Sequence, residues 1–254
     1  MNRRQIRRLR LLRISGGVVL SAYKGVLYFL SFLGPVLIIN HFRSLPVIAL
    51  LALVILGFGS TGSIFLVLLI LTKKLLIGPV YATGVGTIHT KAGKKWFLAA
   101  MLTVILDHSP FRSMVSGLSL LASWYYRGMG AKMPNSALVG SRTLIFDPWF
   151  LEVGENVNIG AGTMILGHLG HGKEFILGRV VIGDGAIIGM RSVIFPDVHI
   201  GSNARVAAGA LVVRGTVIPD GETWAGIPAR RVKADGNLQS AACRAGSRAG
   251  EPVP

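Results

Sequence analysis

A Val or Ile recurs every six residues through the second half of the chain, and this period restricts the possible fold most strongly. An α-helix repeats its buried face every 3.6 residues and an ordinary strand every two, so neither explains a period of six. The stacked coils of a β-helix do, because each short strand points one aliphatic residue inward. The series is Val153, Ile159, Ile165, Ile182, Ile188, Ile194, Ile200, Val206, Val212 and Ile218, and Trp224 takes the next position.

The period breaks once within this series, between Ile165 and Ile182, which are 17 residues apart instead of six. We therefore expect 11 inserted residues, 171–181, to leave the coil as a loop. His168 precedes the insertion on the last regular hexad, and His171 is its first residue. Because a regular repeat is a scaffold, function is expected at the irregularity.

The N-terminal part of the chain has the composition of membrane segments. Hydrophobic residues make up 51% of the sequence and charged residues 15%, and residues 45–72 carry no charge, where about 20 apolar residues suffice for one crossing. Basic residues flank both outer ends of the apolar region, which favours two crossings with both ends in the cytoplasm. A kink or re-entrant turn at residues 57–62, or an odd number of crossings, is the alternative. We predict an integral protein of a bacterial inner membrane, with the β-helix on the cytoplasmic side.

The predicted fold class is a membrane α-helical N-terminal segment followed by an all-β parallel β-helix. Two short apolar stretches in the linker, 96–106 and 114–126, are expected to be helices that lie on the membrane surface or cap the first coil. A two-residue slip before Val153 accommodates residues 146–151. The expected divisions are a basic cytoplasmic N-terminus (1–13), two transmembrane helices (14–74), interfacial or linker helices (75–130), the β-helix (131–233) and a disordered tail (234–254).

The charge balance and the cysteine content exclude some functions. The chain has 27 Lys and Arg against 11 Asp and Glu, but these basic residues do not follow a nucleic-acid-binding motif, so no nucleic-acid partner is expected. Anionic lipid and a polyanionic substrate explain the charge better. Cys243 is the single cysteine, which excludes a disulfide framework and a thiolate metal cluster.

The hexads, the broken coil and the closing segment Trp224-Ala225-Gly226-Ile227-Pro228-Ala229-Arg230-Arg231 resemble the hexapeptide-repeat acyltransferases. This resemblance implies a left-handed β-helix with three hexads per coil, a homotrimer, and acetyl-CoA or another acyl-CoA bound between neighbouring helices. It also implies cofactor contacts from the Gly-x-Pro-Ala motif, here Gly226, Pro228 and Ala229. Arg230 and Arg231 follow the motif and are candidates to meet the cofactor phosphates.

Residues 74–232 are also similar to the membrane-embedded C-terminal region of epsilon-poly-lysine synthetase-type nonribosomal peptide synthetases. The segment Gly167-His168-Leu169-Gly170-His171 matches that family's broken coil at the His-Leu pair, and the acidic residue is displaced to Glu174. This resemblance implies a variant reaction, in which an acyl carrier protein supplies the thioester and the product is an amide.

Acyl transfer from a thioester needs a base for the incoming hydroxyl or amine and donors for the oxyanion. Histidine suits the first task because it changes charge near neutral pH. His168 is the candidate base and His171 the alternative, with Glu174 as the carboxylate that orients an imidazole. Backbone N–H groups at Gly167 or Gly170 are the candidate oxyanion donors.

The predicted function is a membrane-bound acyltransferase that moves an acetyl or other acyl group from acyl-CoA to a hydroxyl or amine near the membrane. Two other classes stay open. One is a zinc enzyme of the γ-carbonic anhydrase kind, for which His168, His171 and His199 are the available ligands, although no metal is expected. The other is a non-catalytic β-helix that serves as an assembly module.

Overall fold

The protein is described by a computed structural model that covers residues 3–42, 44–80, 84–87, 89–171 and 174–232. The expected tail, 234–254, lies outside the described residues. The helices are α1 (Arg3–His41), α2 (Val47–Thr72), α3 (Lys91–Asp107), α4 (Arg112–Gly117) and α5 (Ser119–Met129), with a π-helical turn at Lys73–Ile77 and a 3-10 turn at Pro148–Phe150.

Helices α1 and α2 pack against each other, and both expose large apolar side chains. Segments Ser21–His41 and Val47–Ile77 are long and apolar enough to cross a membrane by length and composition. The 26 residues of α2 extend about 39 Å, more than the hydrocarbon core of a bilayer. Ile48 and Ile55 on α2 are 83% and 72% exposed, unlike the side chains of a helix buried in a protein core.

Two features of these helices bear on the expected membrane segments. Helix α1 begins at Arg3, so the basic residues up to 13 belong to the same helix as the apolar residues that follow. Helix α2 is unbroken through residues 57–62, so no re-entrant turn is present there. This segment contains Gly57 and Gly62, which lie where α2 meets Pro35 of α1 and Met114 of α4. Packing against these two neighbours keeps the backbone helical at the glycines.

The linker stretches are helical, as the apolar pattern indicates. Thr90 caps α3 by accepting a hydrogen bond from the Gly93 N–H at 3.0 Å. The second stretch is divided at Leu118, whose backbone is extended. Helix α5 lies against the first coil of the β-helix, where the Ser119 hydroxyl accepts a hydrogen bond from the Val139 N–H at 2.9 Å.

The strands build three parallel faces of a β-helix and one smaller antiparallel sheet. The strands are β1 (Gly84–Gly86), β2 (Leu138–Val139), β3 (Leu144–Ile145), β4 (Leu151–Val153), β5 (Asn158–Ile159), β6 (Met164–Ile165), β7 (His168–His171), β8 (Glu174–Leu177), β9 (Val180–Ile182), β10 (Ile187–Ile188), β11 (Val193–Ile194), β12 (Val198–Ile200), β13 (Arg205–Val206), β14 (Leu211–Val212), β15 (Val217–Ile218), β16 (Thr223–Gly226) and β17 (Ala229–Arg231). Face 1 stacks β2, β5, β10, β13 and β16, face 2 stacks β3, β6, β11 and β14, and face 3 stacks β4, β9, β12 and β15. The prediction of a β-helix from the six-residue period is therefore confirmed.

The period arises because equivalent residues of successive coils stack in register and point into one narrow core. Ile159 pairs with Ile188 on face 1, and both are at most 1% exposed. The small residue four places on is also buried, and where it carries a hydroxyl it satisfies that group locally. The hydroxyls of Thr163 and Ser192 each donate to the carbonyl three residues earlier at 2.7 Å.

The glycine after the aliphatic residue is required by close approach between coils. A Cβ at Gly189 would lie 2.3 Å from the Ala208 amide nitrogen, and one at Gly160 would lie 2.6 Å from the Met190 nitrogen. The left-handed backbone conformation occurs two residues later, as at Gly162 and Arg191. The turn therefore uses two positions, one without a side chain and one with positive φ.

The insertion forms a β-hairpin, and it begins earlier than the sequence predicts. Strands β7 and β8 pair antiparallel, and β1 adds to the outer edge of β8. The Gly178 N–H donates to the Gly167 carbonyl at 2.9 Å and closes the base of the hairpin. His168 is therefore the first residue of the excursion and is not on a regular coil, because the chain leaves the coil at Gly167.

Candidate functional site

A buried carboxylate holds the His168 ring at the base of the hairpin. The Asp147 side chain is fully buried, and its Oδ2 lies 2.6 Å from Nδ1 of His168. A carboxylate only accepts hydrogen bonds, so in this contact the neutral imidazole is assigned the tautomer with its proton on Nδ1 and its lone pair on Nε2. The imidazole is 27% exposed and thus accessible to a substrate. This is the arrangement of a histidine base oriented by an aspartate.

Two further donors complete the shell around Asp147. The Gly167 N–H donates to Oδ2 at 3.0 Å, and the Trp96 indole N–H donates to Oδ1 at 2.8 Å. Both oxygens of the buried carboxylate are thus satisfied, as a charge in a low-dielectric environment requires. The Trp96 ring also lies 5.1 Å from the His168 ring, centroid to centroid, and Phe146 lies 6.4 Å from it.

The structure does not bring the three predicted catalytic residues together. Glu174 is exposed and stands opposite His171 near the tip of the hairpin, whereas the carboxylate that contacts His168 is Asp147. The His171 side chain is outside the described residues. The Gly167 N–H is engaged by Asp147, so of the two candidate oxyanion donors only Gly170 keeps an N–H free of that contact.

Sequence reasoning missed Asp147 and Trp96, although one signal for Asp147 was present. Ile145 and Val153 are eight residues apart instead of six, and Asp147 lies in that slip. The 3-10 turn Pro148–Phe150 takes up the two extra residues, with the Phe150 N–H bonded to the Asp147 carbonyl at 3.0 Å. This second irregularity in the period therefore carries the missing acidic partner.

The Gly-x-Pro-Ala segment forms a hairpin at the far end of face 1. Strands β16 and β17 pair antiparallel across Gly226 and Ala229; Ala229 is buried, and Pro228 is exposed between them. Arg231 forms an ion pair with Glu222 at 3.0 Å. Arg230 is exposed and has no acidic partner among the described residues. The structure thus separates two arginines that the sequence treats alike.

A groove of about 800 Å³ follows the edge between faces 1 and 2. It is lined by Ser141, Arg142, Ala161, Gly162, Met190, Arg191, Ala208 and Gly209, together with Ser116 and Gly117 of α4. Arg142 and Arg191 are exposed there and form no ion pair with any described residue. The same edge continues through Ala207, whose N–H donates to the Trp224 carbonyl at 2.8 Å, to the hairpin that carries Gly226.

The described residues contain no group of three or more His, Cys, Asp and Glu side chains placed to hold a metal ion. His199 points outward from the middle of β12 and is exposed. His199 and His168 project from different elements, one from face 3 and one from the hairpin.

Comparison with known proteins identifies relatives of the repeat region. Residues 177–214 match the model of the family "Bacterial transferase hexapeptide (six repeats)". The chain is 35% identical over 139 residues to YvoF of Bacillus subtilis, an acetyltransferase by name, covering 53% of this chain and 75% of YvoF. It is also 36% identical over 86 residues to a 2,3,4,5-tetrahydropyridine-2,6-dicarboxylate N-acetyltransferase of Staphylococcus aureus, covering 34% of each chain.

Solved structures with a similar arrangement include two acetyltransferases. A maltose O-acetyltransferase from Clostridium difficile is 17% identical with a TM-score of 0.45, covering 59% of this chain and 92% of that one. A galactoside acetyltransferase in complex with coenzyme A is 21% identical with a TM-score of 0.43, covering 59% and 85%. On the extent of its identity to YvoF and the match of its repeats, the chain is an enzyme of the hexapeptide-repeat acyltransferase family.

Proposed function

We propose that the protein transfers an acetyl or other acyl group from acyl-CoA to a hydroxyl or amine of a membrane-proximal acceptor, with His168 as the general base. The contact between Asp147 and His168 carries this proposal. This contact joins the two interruptions of a regular scaffold in an acyltransferase family, which is where a base for the acceptor is expected.

In the proposed reaction, Nε2 of His168 takes the proton from the acceptor hydroxyl or amine as its oxygen or nitrogen attacks the thioester carbonyl. The carbon–sulfur bond then breaks, and the coenzyme A thiolate takes the proton from the imidazolium. Asp147 holds the ring in one tautomer and orientation throughout and favours the imidazolium that forms between the two steps.

The groove between faces 1 and 2 is the proposed site of the acyl-CoA arm. Arg142 and Arg191, which form no ion pair with a described residue, suit a polyanion, and most of the other lining residues are small. Gly226 on β16 lies three strand spacings further along the axis than β5, about 14 Å, and Arg230 on β17 lies four, about 19 Å. A cofactor that contacts both the groove at β5 and the hairpin at Arg230 must therefore be extended, as acyl-CoA is.

The groove and His168 lie at opposite edges of face 2, which supports an active site shared between copies. Five residue steps along β6 separate Gly162 from Gly167, about 17 Å in an extended chain. We therefore propose a homotrimer of left-handed β-helices, in which His168 of one copy serves the groove of its neighbour. The exposed apolar faces of α1 and α2 support anchorage in the inner membrane, beside lipid-linked or amphiphilic acceptors.

The first test uses the full-length protein in detergent, radiolabelled acetyl-CoA and a total lipid extract of the membranes that contain the protein. His168→Gln should lower kcat about 10²- to 10⁴-fold, because a general base contributes rate accelerations of that size. Its dissociation constant for acetyl-CoA, measured by calorimetry, should stay that of wild type.

His171→Gln and Glu174→Gln are the matched controls, and both should keep most of the activity. A His168→Gln protein as active as wild type would overturn the assignment of the base. Failure of the wild type to bind acetyl-CoA, together with transfer from an acylated carrier protein, would favour the amide-forming alternative. Absence of binding and of transfer from both donors would favour a non-catalytic assembly module.

A further inference from the structure

We infer that Trp96, a residue outside the hexapeptide repeat, is a positioning residue that acts on His168 through Asp147. This inference rests on the proposed role of His168 and extends it to the linker helix α3. The two oxygens of Asp147 have different partners, and the Trp96 indole is the one that holds the oxygen facing away from His168.

The partners of Asp147 restrain different motions of the carboxylate. Oδ2 accepts from the Gly167 N–H and from the His168 ring, whereas the donor to Oδ1 among the described residues is the Trp96 indole. Rotation about the Cβ–Cγ bond moves both oxygens together, so it would carry Oδ2 away from the imidazole. The third contact, on Oδ1, opposes that rotation from the other side of the carboxylate and helps to set the direction from which Oδ2 meets the imidazole.

Helix α3 also contacts the same segment at a second point. The Thr103 hydroxyl donates to the Ala100 carbonyl of its own helix at 2.7 Å and lies 3.3 Å from the carbonyl of Phe146, the residue before Asp147. Trp96 and Thr103 are seven residues apart, so they lie on the same side of α3 after two turns. Trp96 is 3% exposed, and its ring lies 4.6 Å from Phe175 of the hairpin, centroid to centroid. The indole is thus buried against the hairpin, and its N–H points at Asp147.

The repeat alone cannot supply this contact. Asp147 belongs to the slip between β3 and β4, and His168 belongs to the hairpin, so both stand where the regular coil is interrupted. Neither excursion is held by the ladder of parallel hydrogen bonds that orders the other positions. Trp96 supplies a contact to Asp147 from a separate helix instead. The orientation of the His168 ring therefore depends on α3 remaining packed beside Asp147.

The test replaces Trp96 with Phe in the full-length protein, which keeps an aromatic ring and removes the N–H. The expected result is a kcat about 10- to 100-fold lower, with an unchanged dissociation constant for acetyl-CoA, since a hydrogen bond to a charged group is lost and the groove is distant. Trp149→Phe is the matched control. The Trp149 N–H is buried two residues from Asp147 and bonds to no described residue, so its loss should leave kcat within about twofold of wild type.

A double-mutant cycle separates positioning from a general structural effect. In an Asp147→Asn background, Trp96→Phe should lower the residual kcat by less than about twofold, because the carboxylate through which it acts is gone. Equal losses in both backgrounds would mean that Trp96 supports the fold, and would overturn the inference.

Proton exchange at His168 tests the role of Trp96 without measuring turnover, so its result does not depend on the proposed function. The His168 Nδ1 proton, observed by NMR with labelled histidine and assigned by its loss in His168→Gln, should be protected from exchange in wild type and in Trp149→Phe. It should exchange faster in Trp96→Phe. Unchanged protection in Trp96→Phe would overturn the inference, even if His168 proved essential for transfer.

Discussion

Tyr125 and Tyr126 of α5 are adjacent, both are buried, and their hydroxyls have different surroundings. The Tyr126 hydroxyl donates to the Thr143 carbonyl at 3.3 Å and accepts from the Arg112 guanidinium at 3.2 Å. The Tyr125 hydroxyl has no hydrogen-bond partner among the described residues. One hydroxyl therefore stabilises the contact between α5 and the first coil, while the other carries an uncompensated desolvation cost.

We predict opposite effects of removing these two hydroxyls. Tyr126→Phe should lower the free energy of unfolding by about 1–3 kcal/mol, because it leaves Arg112 and the Thr143 carbonyl with one partner fewer. Tyr125→Phe should leave it unchanged or raise it by up to about 2 kcal/mol, because it removes an unpaired buried group. Denaturant unfolding in detergent, followed by circular dichroism, measures both. Destabilisation by Tyr125→Phe equal to that by Tyr126→Phe would contradict the assignment of partners.

The same pair predicts a loss of stability in alkaline solution. Burial raises the pKa of Tyr126 and raises that of Tyr125 well above its usual value of 10.0. The folded state therefore keeps both protons at a pH where the unfolded chain releases them, so the free energy of unfolding falls as the pH rises above about 10. Each Phe variant should show a shallower decline over that range than wild type.

The β16–β17 hairpin carries two arginines that the sequence cannot distinguish and the structure does. Arg231 is engaged by Glu222, while Arg230 is exposed and has no acidic partner in the part of the chain that the structure describes. We predict that Arg230→Gln weakens acetyl-CoA binding about 5- to 30-fold, the size of one charge-assisted hydrogen bond to phosphate, with little change in thermal stability.

Arg231→Gln is the matched control within the same strand. It should leave the dissociation constant for acetyl-CoA within about twofold of wild type, since the exposed ion pair that it removes contributes at most about 1 kcal/mol to stability. Calorimetric titration measures both variants. Equal weakening by the two substitutions would show that the hairpin acts through its overall charge and that Arg230 makes no specific contact.

For the whole molecule, the proposed topology places the β-helix and the N-terminus on the cytoplasmic side. Cys243 is the single cysteine and follows the β-helix, so it reports the side of that domain. A membrane-impermeant maleimide should label Cys243 in inverted vesicles and leave it unlabelled in intact spheroplasts.

The control for this labelling is a cysteine in the connection between α1 and α2. Ser44 is exposed there, and in Cys243→Ser/Ser44→Cys the new thiol should be labelled in spheroplasts. Labelling of Cys243 in spheroplasts would reverse the proposed orientation and move the acceptor to the outer side of the membrane.

The amino-acid sequence by itself determined the β-helix, its inward positions and the location of its excursion. A six-residue period forces equivalent residues into register, because parallel strands of successive coils pair at a fixed offset. The same logic identified the helical linker and the apolar helices from local composition and periodicity. The prediction of His168 as the base has the same origin, since this residue adjoins a visible break in the period.

Only the tertiary structure decided what surrounds His168. Asp147 is 21 residues away in sequence and Trp96 lies 51 residues before Asp147, and they meet because one coil stacks on the next and α3 docks beside them. Glu174 was the nearer carboxylate in sequence, but β7 and β8 pair so that it stands opposite His171. Local patterns record which face of an element is buried, whereas a contact between elements depends on how those faces are packed together.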